Sequence, residues 1–206
     1  MNIQLTAEIY KNLIKMCAYR NLTIVGDILS EDKLIQTINF NEYISIEATR
    51  SKLNQLSSAY VFIILLKENA RYMSKTALFK RLVEDIIKKN ISGDPTEITF
   101  IMDEPLSSNI NKMLAEFKQT VFIESYNYAL FRIELPLHES VPKHSILPED
   151  ELITLLELYK THKERFPIIK ASDPQAVWLG ARPGQVIKIL RPSDSAGYAI
   201  AYRICV

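Results

Sequence analysis

Few residues in this chain are spaced for chemistry. Glu31-Asp32-Lys33 has the Glu-x-Lys pattern of metal-dependent nucleases, where carboxylates hold magnesium and a lysine steadies the attacking water. Such a centre needs another aspartate on an adjoining strand. Asp27 is too near in sequence for that, and acids are expected at a helix start in any case, because they complement the exposed amide dipoles. His138, His144 and His162 form no helical metal pair and adjoin no serine or cysteine in a nucleophile motif, so surface or structural roles fit them better. Gly26-Asp27 and Gly93-Asp94-Pro95 are turn chemistry rather than a phosphate-binding loop. Cys17 and Cys205 are too few and too far apart for a metal site or a disulfide framework, and they suit a reducing compartment. The reading is of no catalytic residue, no metal and no cofactor.

Function must then lie in surfaces, and the charged residues are the first candidates. Twenty-five basic residues against 24 acidic ones exclude a protein that coats nucleic acid by bulk charge, so any contact with nucleic acid is local. One local excess lies between Lys67 and Ile91: Lys67, Arg71, Lys75, Lys80, Arg81, Lys88 and Lys89 against Glu68, Glu84 and Asp85. Lys75, Lys80, Arg81, Lys88 and Lys89 are the candidates for lying near DNA phosphates; the ordinary alternative is the solvated face of an amphipathic helix. A second excess begins at Lys163, with seven basic residues against three acids. Lys143, Lys170, Lys188, Arg191 and Arg203 are suited to an acidic patch on a partner or to nucleic acid, and residue type alone does not choose.

These residues are positioned by two differently built halves. All nine prolines lie at or beyond Pro95, and Gly180, Gly184 and Gly197 supply most of the glycine. A strand-like run from Tyr128 to Leu135 meets Pro136, which removes a donor and restricts its predecessor, so the boundary is set there: residues 1–136 and 137–206. At 206 residues two such domains have enough chain for real cores. The amino-terminal stretch mixes charge with apolar residues and reads as neither signal peptide nor membrane span.

The first half alternates helices and strands. A helix over 7–20 carries Ile9, Leu13, Met16 and Cys17 at helical spacing, and a short strand follows over Leu22 to Val25. Ser30 is placed to cap a helix opening at Glu31, and Tyr60 to Leu66 is an apolar strand. Ser74 caps a helix with Leu78, Leu82, Val83 and Ile86 inward and Gly93 beyond its end; Ile98 to Met102 is a strand. Ser107 caps a helix with Ile110, Met113, Leu114 and Phe117, before strands over Val121 to Ser125 and Tyr128 to Leu135. This is an α/β layer domain.

The second half is more heavily punctuated. Pro148 lies in the first turn of a helix that begins with three acids and turns Leu152, Leu155, Leu156 and Tyr159 inward. Asp173 as N-cap with Pro174 at the first helical position opens one or two turns, which Gly180 stops. Arg182-Pro183-Gly184-Gln185 suits a type II turn before a strand over Val186 to Arg191. Residues Ser193 to Gly197 then reverse the chain into a last strand with Tyr198, Ile200, Tyr202 and Ile204 on one face and Ala199, Ala201, Arg203 and Cys205 on the other. The small face is either covered by the domain's own helix or open to a partner. A strand at a sheet edge would offer unpaired amides and carbonyls for strand addition.

The ordered motifs of this half carry a resemblance. They are Val141-Pro142-Lys143-His144, the leucine-rich helix ending at Tyr159-Lys160, Pro167, Ser172-Asp173-Pro174, Leu179-Gly180, Gly184-Gln185-Val186-Ile187-Lys188-Ile189, Arg191, Ser193, Gly197 and Tyr202-Arg203. In order and spacing they resemble the C-terminal assembly domain of the fifth subunit shared by the three eukaryotic nuclear RNA polymerases, a family with an archaeal counterpart. The first 135 residues match that family only in layout. The resemblance implies a non-catalytic subunit of a multisubunit DNA-directed RNA polymerase. Its N-terminal jaw domain would have an inactive, nuclease-like α/β fold near downstream DNA, and its small α+β C-terminal assembly domain would anchor it to the largest subunit. By resemblance, Pro142, Lys143, His144, Asp173, Pro174, Lys188, Arg191 and Arg203 belong to the partner-binding surface.

Two departures matter. Gly197-Tyr198-Ala199 stands where cellular members usually have Gly-Arg-Tyr, and Ile168 replaces the arginine usually following the proline. They suggest a partner that has diverged with this chain, as in the polymerase of a large cytoplasmic DNA virus, which would act in the host cytoplasm and virion; a cellular subunit would be nuclear. The alternative function is a stand-alone nucleic-acid-binding adaptor.

Overall fold

The computed structural model describes residues 3–41, 43–52, 55–66, 75–89, 95–117 and 121–206. It forms two compact units, Met1–Ile133 and Glu134–Val206. No described helix is long and apolar enough to cross a membrane.

The first unit is a five-stranded mixed sheet covered on both faces by helices. Helix α1 (Ile3–Tyr19) and β1 (Thr23–Val25) precede α2 (Glu31–Phe40), followed by β2 (Tyr43–Lys52), β3 (Gln55–Leu65), α3 (Thr76–Lys89), β4 (Pro95–Met102), α4 (Ser108–Phe117) and β5 (Phe122–Asn127). Strand order is β1-β2-β3-β4-β5. The first three strands form an antiparallel meander, and β3, β4 and β5 are joined by parallel crossovers through α3 and α4. Because β3 is central, both of its faces are buried: Val61, Ile63 and Leu65 meet α3 and α4, while Phe62 and Ile64 point to the other side. Helix α3 supplies Phe79, Leu82, Val83 and Ile86, an i, i+3, i+4, i+7 stripe, to that core. Phe79 and Phe100 rings lie 4.9 Å apart there.

Several expectations are corrected in this unit. Strand β2 was not anticipated, although Ile44, Ile46 and Ala48 alternate inward against Ile64, Phe62 and Tyr60. Helix α1 begins at Ile3, earlier than residue 7. Ser30 occupies the N-cap position of α2, but its side chain makes no capping bond; Ser107 does cap α4, accepting from Ile110 N at 3.4 Å. Phe79 rather than Leu78 is the fully buried residue at the start of the α3 stripe. Ser74 and Gly93 lie outside the described residues. The run Tyr128 to Leu135 is not a strand. Asn127 Oδ1 accepts from Ala129 N and starts a 3-10 helix over Tyr128–Phe131, in which Tyr128 and Phe131, three residues apart, are both buried. A second 3-10 turn covers Leu135–Leu137 around Pro136.

The second unit has β6 (Lys143–Ile146), α5 (Glu149–Tyr159), β7 (Ile168–Ile169), α6 (Pro174–Leu179), β8 (Val186–Ser193) and β9 (Gly197–Cys205). Its sheet order is β6-β8-β9-β7, antiparallel except for β7 with β9. Pro148 stands at the N-cap of α5 rather than within its first turn, and Lys160 ends the helix with φ of 47°. Tyr159, expected inward, is exposed; only Leu152 of α5 is fully buried. Asp173 Oδ1 accepts from Gln175 N at 2.9 Å, Pro174 follows at the first helical position, and Gly180 at φ 68° closes α6. Gln185 N donates to Arg182 O at 3.1 Å with Gly184 at φ 88°, the type II turn expected from Pro183-Gly184.

Candidate functional site

The sheet of the second unit sorts its side chains by parity. On one face Ala201 and Cys205 of β9 join Ile187 and Ile189 of β8 beneath Ala176 and Ala181, which belong to α6 and the turn after it. The small face is thus covered by the unit's own helix over this half, while Ala199, nearer the hairpin, is exposed. On the opposite face Val186, Leu147 and Leu152 are buried, with Leu155, Leu156, Phe166 and Tyr202 packed against them. Phe166 and Tyr202 rings are 5.8 Å apart. Burial, then the neighbouring Tyr159 and Glu151, push the Tyr202 phenol above its ordinary pKa.

This large face does not end where the core ends. Tyr198 is 66 % exposed and Ile200 53 %, since the β8-β9 hairpin extends beyond α5. Helix α5 adds Ile153, Leu158 and Tyr159, all exposed. Its apolar residues occur at Leu152, Ile153, Leu155, Leu156, Leu158 and Tyr159, spread over roughly 220° of the helix circumference, wider than the stripe one core can cover. The apolar distribution around α5 is the sequence signal that reading it as a simple inward stripe passed over.

The expected partner-binding residues are divided by the register. Arg191 pairs with Ala199 and Arg203 with Ile187, which puts both arginines on the small face. His144 pairs with Ile189 and shares that face, whereas Lys143 opposite Leu190 and Lys188 opposite Tyr202 lie on the large one. His144 Nδ1 donates to Pro142 O at 2.6 Å, fixing the entry to β6. Arg203 reaches over β7 and donates to Ile168 O at 3.3 Å. Asp173 and Pro174 are engaged in starting α6. Lys143, Lys188, Arg191 and Arg203 therefore reach solvent from two faces of one hairpin sheet rather than from one patch.

In the first unit, Lys75 precedes α3, and Arg81 and Lys88 are exposed seven residues apart, on one face of the helix. Lys80 turns instead to α4, 3.3 Å from Glu116 and over the Phe117 ring. The side chain of Lys89, together with Lys67 and Arg71, lies outside the described residues. Glu31, at the start of α2, meets Lys11 at 3.1 Å on the surface. Among the described residues no group of three His, Cys, Asp or Glu side chains is gathered to hold a metal ion.

One buried ion pair went unanticipated. Arg20 Nη1 lies 2.9 Å from Glu97 Oε1, with the side chains 2 % and 5 % exposed. The guanidinium sits 5.5 Å from the Phe62 ring centroid, and Arg50 donates to Arg20 O at 2.8 Å. Nothing in local sequence joins residues 77 positions apart.

Comparison with known proteins gives this arrangement its relatives. The model of the RNA polymerase Rpb5 C-terminal domain matches residues 133–205, the span of the second unit. Along nearly its whole length the chain is similar to DNA-directed RNA polymerase RPB5 homologs of African swine fever virus: 26 % identical over 201 residues in the Tick/Malawi and Warthog/Namibia isolates, covering 95 % of each chain. It is 36 % identical over 108 residues to a subunit, rpabc1, of DNA-directed RNA polymerases I, II and III of Dictyostelium discoideum, covering 52 % of this chain and 55 % of that one. The second unit thus matches the RNA polymerase Rpb5 C-terminal domain through its last strand, and the chain as a whole is similar to viral RPB5 homologs across both units.

Proposed function

We propose that this chain is a non-catalytic subunit of a multisubunit DNA-directed RNA polymerase. Its second unit, residues 137–206 by the proline boundary, is the assembly domain that anchors it to the largest subunit. The first, residues 1–136, is a jaw of nuclease-like but inactive fold near downstream duplex DNA. The observation that carries this reading is the full-length similarity to viral polymerase subunits. The exposed apolar surface of α5 and β9, in a unit too small to cover it, supports the assembly role. The first unit has the layer order of an α/β domain with a three-strand meander and parallel crossovers, and Arg81 and Lys88 offer it phosphate contacts. A viral polymerase working in host cytoplasm and packaged in the virion suits the departures at Ile168 and Tyr198. A stand-alone adaptor has no support in relatives that are themselves polymerase subunits.

The test is affinity purification of the tagged chain from the cells, or infected cells, that express it. Stoichiometric recovery of two large polymerase subunits with RNA synthesis is the expected result. A solitary chain that retains or cuts DNA would overturn the proposal.

A further inference from the structure

Strand β9 lies between β8 and β7, yet β7 is only two residues long and pairs only with Ile204 and Cys205. Cys205 donates to Gln185 O at 2.8 Å and accepts from Gly184 N at 2.9 Å, so its peptide groups face the β8 side. Ile204 N donates to Pro167 O, and Val206 N to Ile169 O, both at 2.9 Å, on the opposite side. An antiparallel ladder keeps this alternation. Ala199, Ala201 and Arg203 therefore turn their peptide groups to β8, while Tyr198, Ile200 and Tyr202 turn theirs outward, past the end of β7. Pro167, with no N–H, cannot prolong β7 along them. Among the described residues the result is a free edge of three donors and three acceptors over about 13 Å.

The side chains flanking this edge differ by face. Tyr198, Ile200 and Tyr202 present exposed or half-exposed apolar area on one face; on the other, Ala199 is exposed opposite Arg191, while Ala201 packs into the core and Arg203 follows two residues on. Among the described residues, neither arginine has a carboxylate partner. The region from Lys163 onward carries seven basic residues against three acids. From this the geometry points to one occupant: an extended segment of another polymerase polypeptide, added as a strand beside Tyr198–Tyr202. It would alternate apolar residues, over the tyrosine face, with Asp or Glu over Ala199 and beside the arginines. A second copy of this chain fits worse, because pairing two identical edges would crowd four arginines onto one face. This inference rests on the polymerase reading and specifies how the second unit is held.

The test exploits parity. Ile200→Pro deletes an outward donor and leaves the β8 ladder intact, whereas Ile200→Ala keeps the donor and loses apolar area. Full-length chains carrying either change would be tagged and recovered with the polymerase from expressing cells. Amide exchange at Tyr198, Ile200 and Tyr202 would be compared between the free chain and the purified complex. Loss of co-purification of tenfold or more for Ile200→Pro, with a smaller loss for Ile200→Ala, and amides protected only in the complex, support strand addition. Unchanged exchange at these three amides in the wild-type complex overturns it, whether or not the proline variant folds. So does normal incorporation of Ile200→Pro. Protection in the free chain that grows with its concentration assigns the edge to a second copy, also overturning the proposal. If wild-type chain recovers no polymerase at all, it is the functional reading that has failed.

Discussion

Replacing Glu97 by leucine should be among the most damaging single changes in the first unit. Glu97 and Arg20 are almost wholly buried at 2.9 Å, and Arg20 is further held over Phe62. Removing the carboxylate takes from a buried guanidinium its counter-charge at 2.9 Å, which costs about 3–5 kcal/mol. With a urea m-value of about 2 kcal/mol/M for a chain of this size, the midpoint falls by about 1.5–2.5 M. Removing both charges, in Arg20→Leu with Glu97→Leu, takes away the desolvation cost as well as the attraction. The double variant should therefore recover most of the loss, with a coupling of about 2 kcal/mol or more. The assay is urea unfolding followed by far-UV circular dichroism, with equal m-values required before midpoints are compared. A single variant that loses less than about 1 kcal/mol, or a double variant equal to the sum of the singles, would refute the reasoning.

Three further outcomes follow. Asp173→Ala removes the acceptor for Gln175 N and should lower stability by about 0.5–2 kcal/mol, with Asp173→Asn retaining most of it; thermal unfolding checks both. Burial pushes the Cys17 thiol from 9.0 up to about 12, so it should resist alkylation at pH 8 until urea unfolds the chain. Because the unfolded thiol ionises first, Cys17 favours folding fully below pH 9, and that contribution should decline from pH 9 toward 12; alkaline unfolding of Cys17→Ala, compared with wild type, isolates it. Arg191→Glu or Arg203→Glu reverses charge on the small face and should weaken polymerase assembly while circular dichroism stays unchanged; normal incorporation of both would contradict an anchoring role.

What was legible in the sequence was what local stereochemistry decides. Asp173-Pro174, Gly180 and Pro183-Gly184 each demand one backbone conformation, and the structure has it at each. Strand β2 was harder because Ile44, Ile46 and Ala48 alternate with Ser45, Glu47 and Thr49 in a stretch of modest strand preference; the buried partner β3 stabilises it. Tyr128 to Leu135 misled because an apolar run does not reveal its period until Asn127 is seen to cap a 3-10 turn. The motifs of the second half were readable enough to point to the domain model that matches residues 133–205. Residue type also singled out Arg191 and Arg203, but their common face depends on the hairpin register that pairs Ser193 with Gly197. Pro167 marks locally where β7 must stop, but that β7 pairs with β9 at all depends on the path of a distant segment.

The bond from Asn12 Nδ2 to Phe131 O, 2.8 Å long, ties helix α1 to the far end of the first unit. These residues are 119 positions apart. Closing so long a loop costs about 2 kcal/mol more entropy than closing one of about ten residues, whereas the β2-β3 hairpin closes locally. Contacts of high sequence separation form late when nearer ones can be made first. The meander and its crossovers should therefore consolidate before α1 is seated, although α1 comes first in the chain. Until it docks, the sheet face carrying Ile44, Ile46 and Phe62 stays open, so mutations at this contact should raise the lifetime of an aggregation-prone intermediate more than they lower the folded chain's final stability.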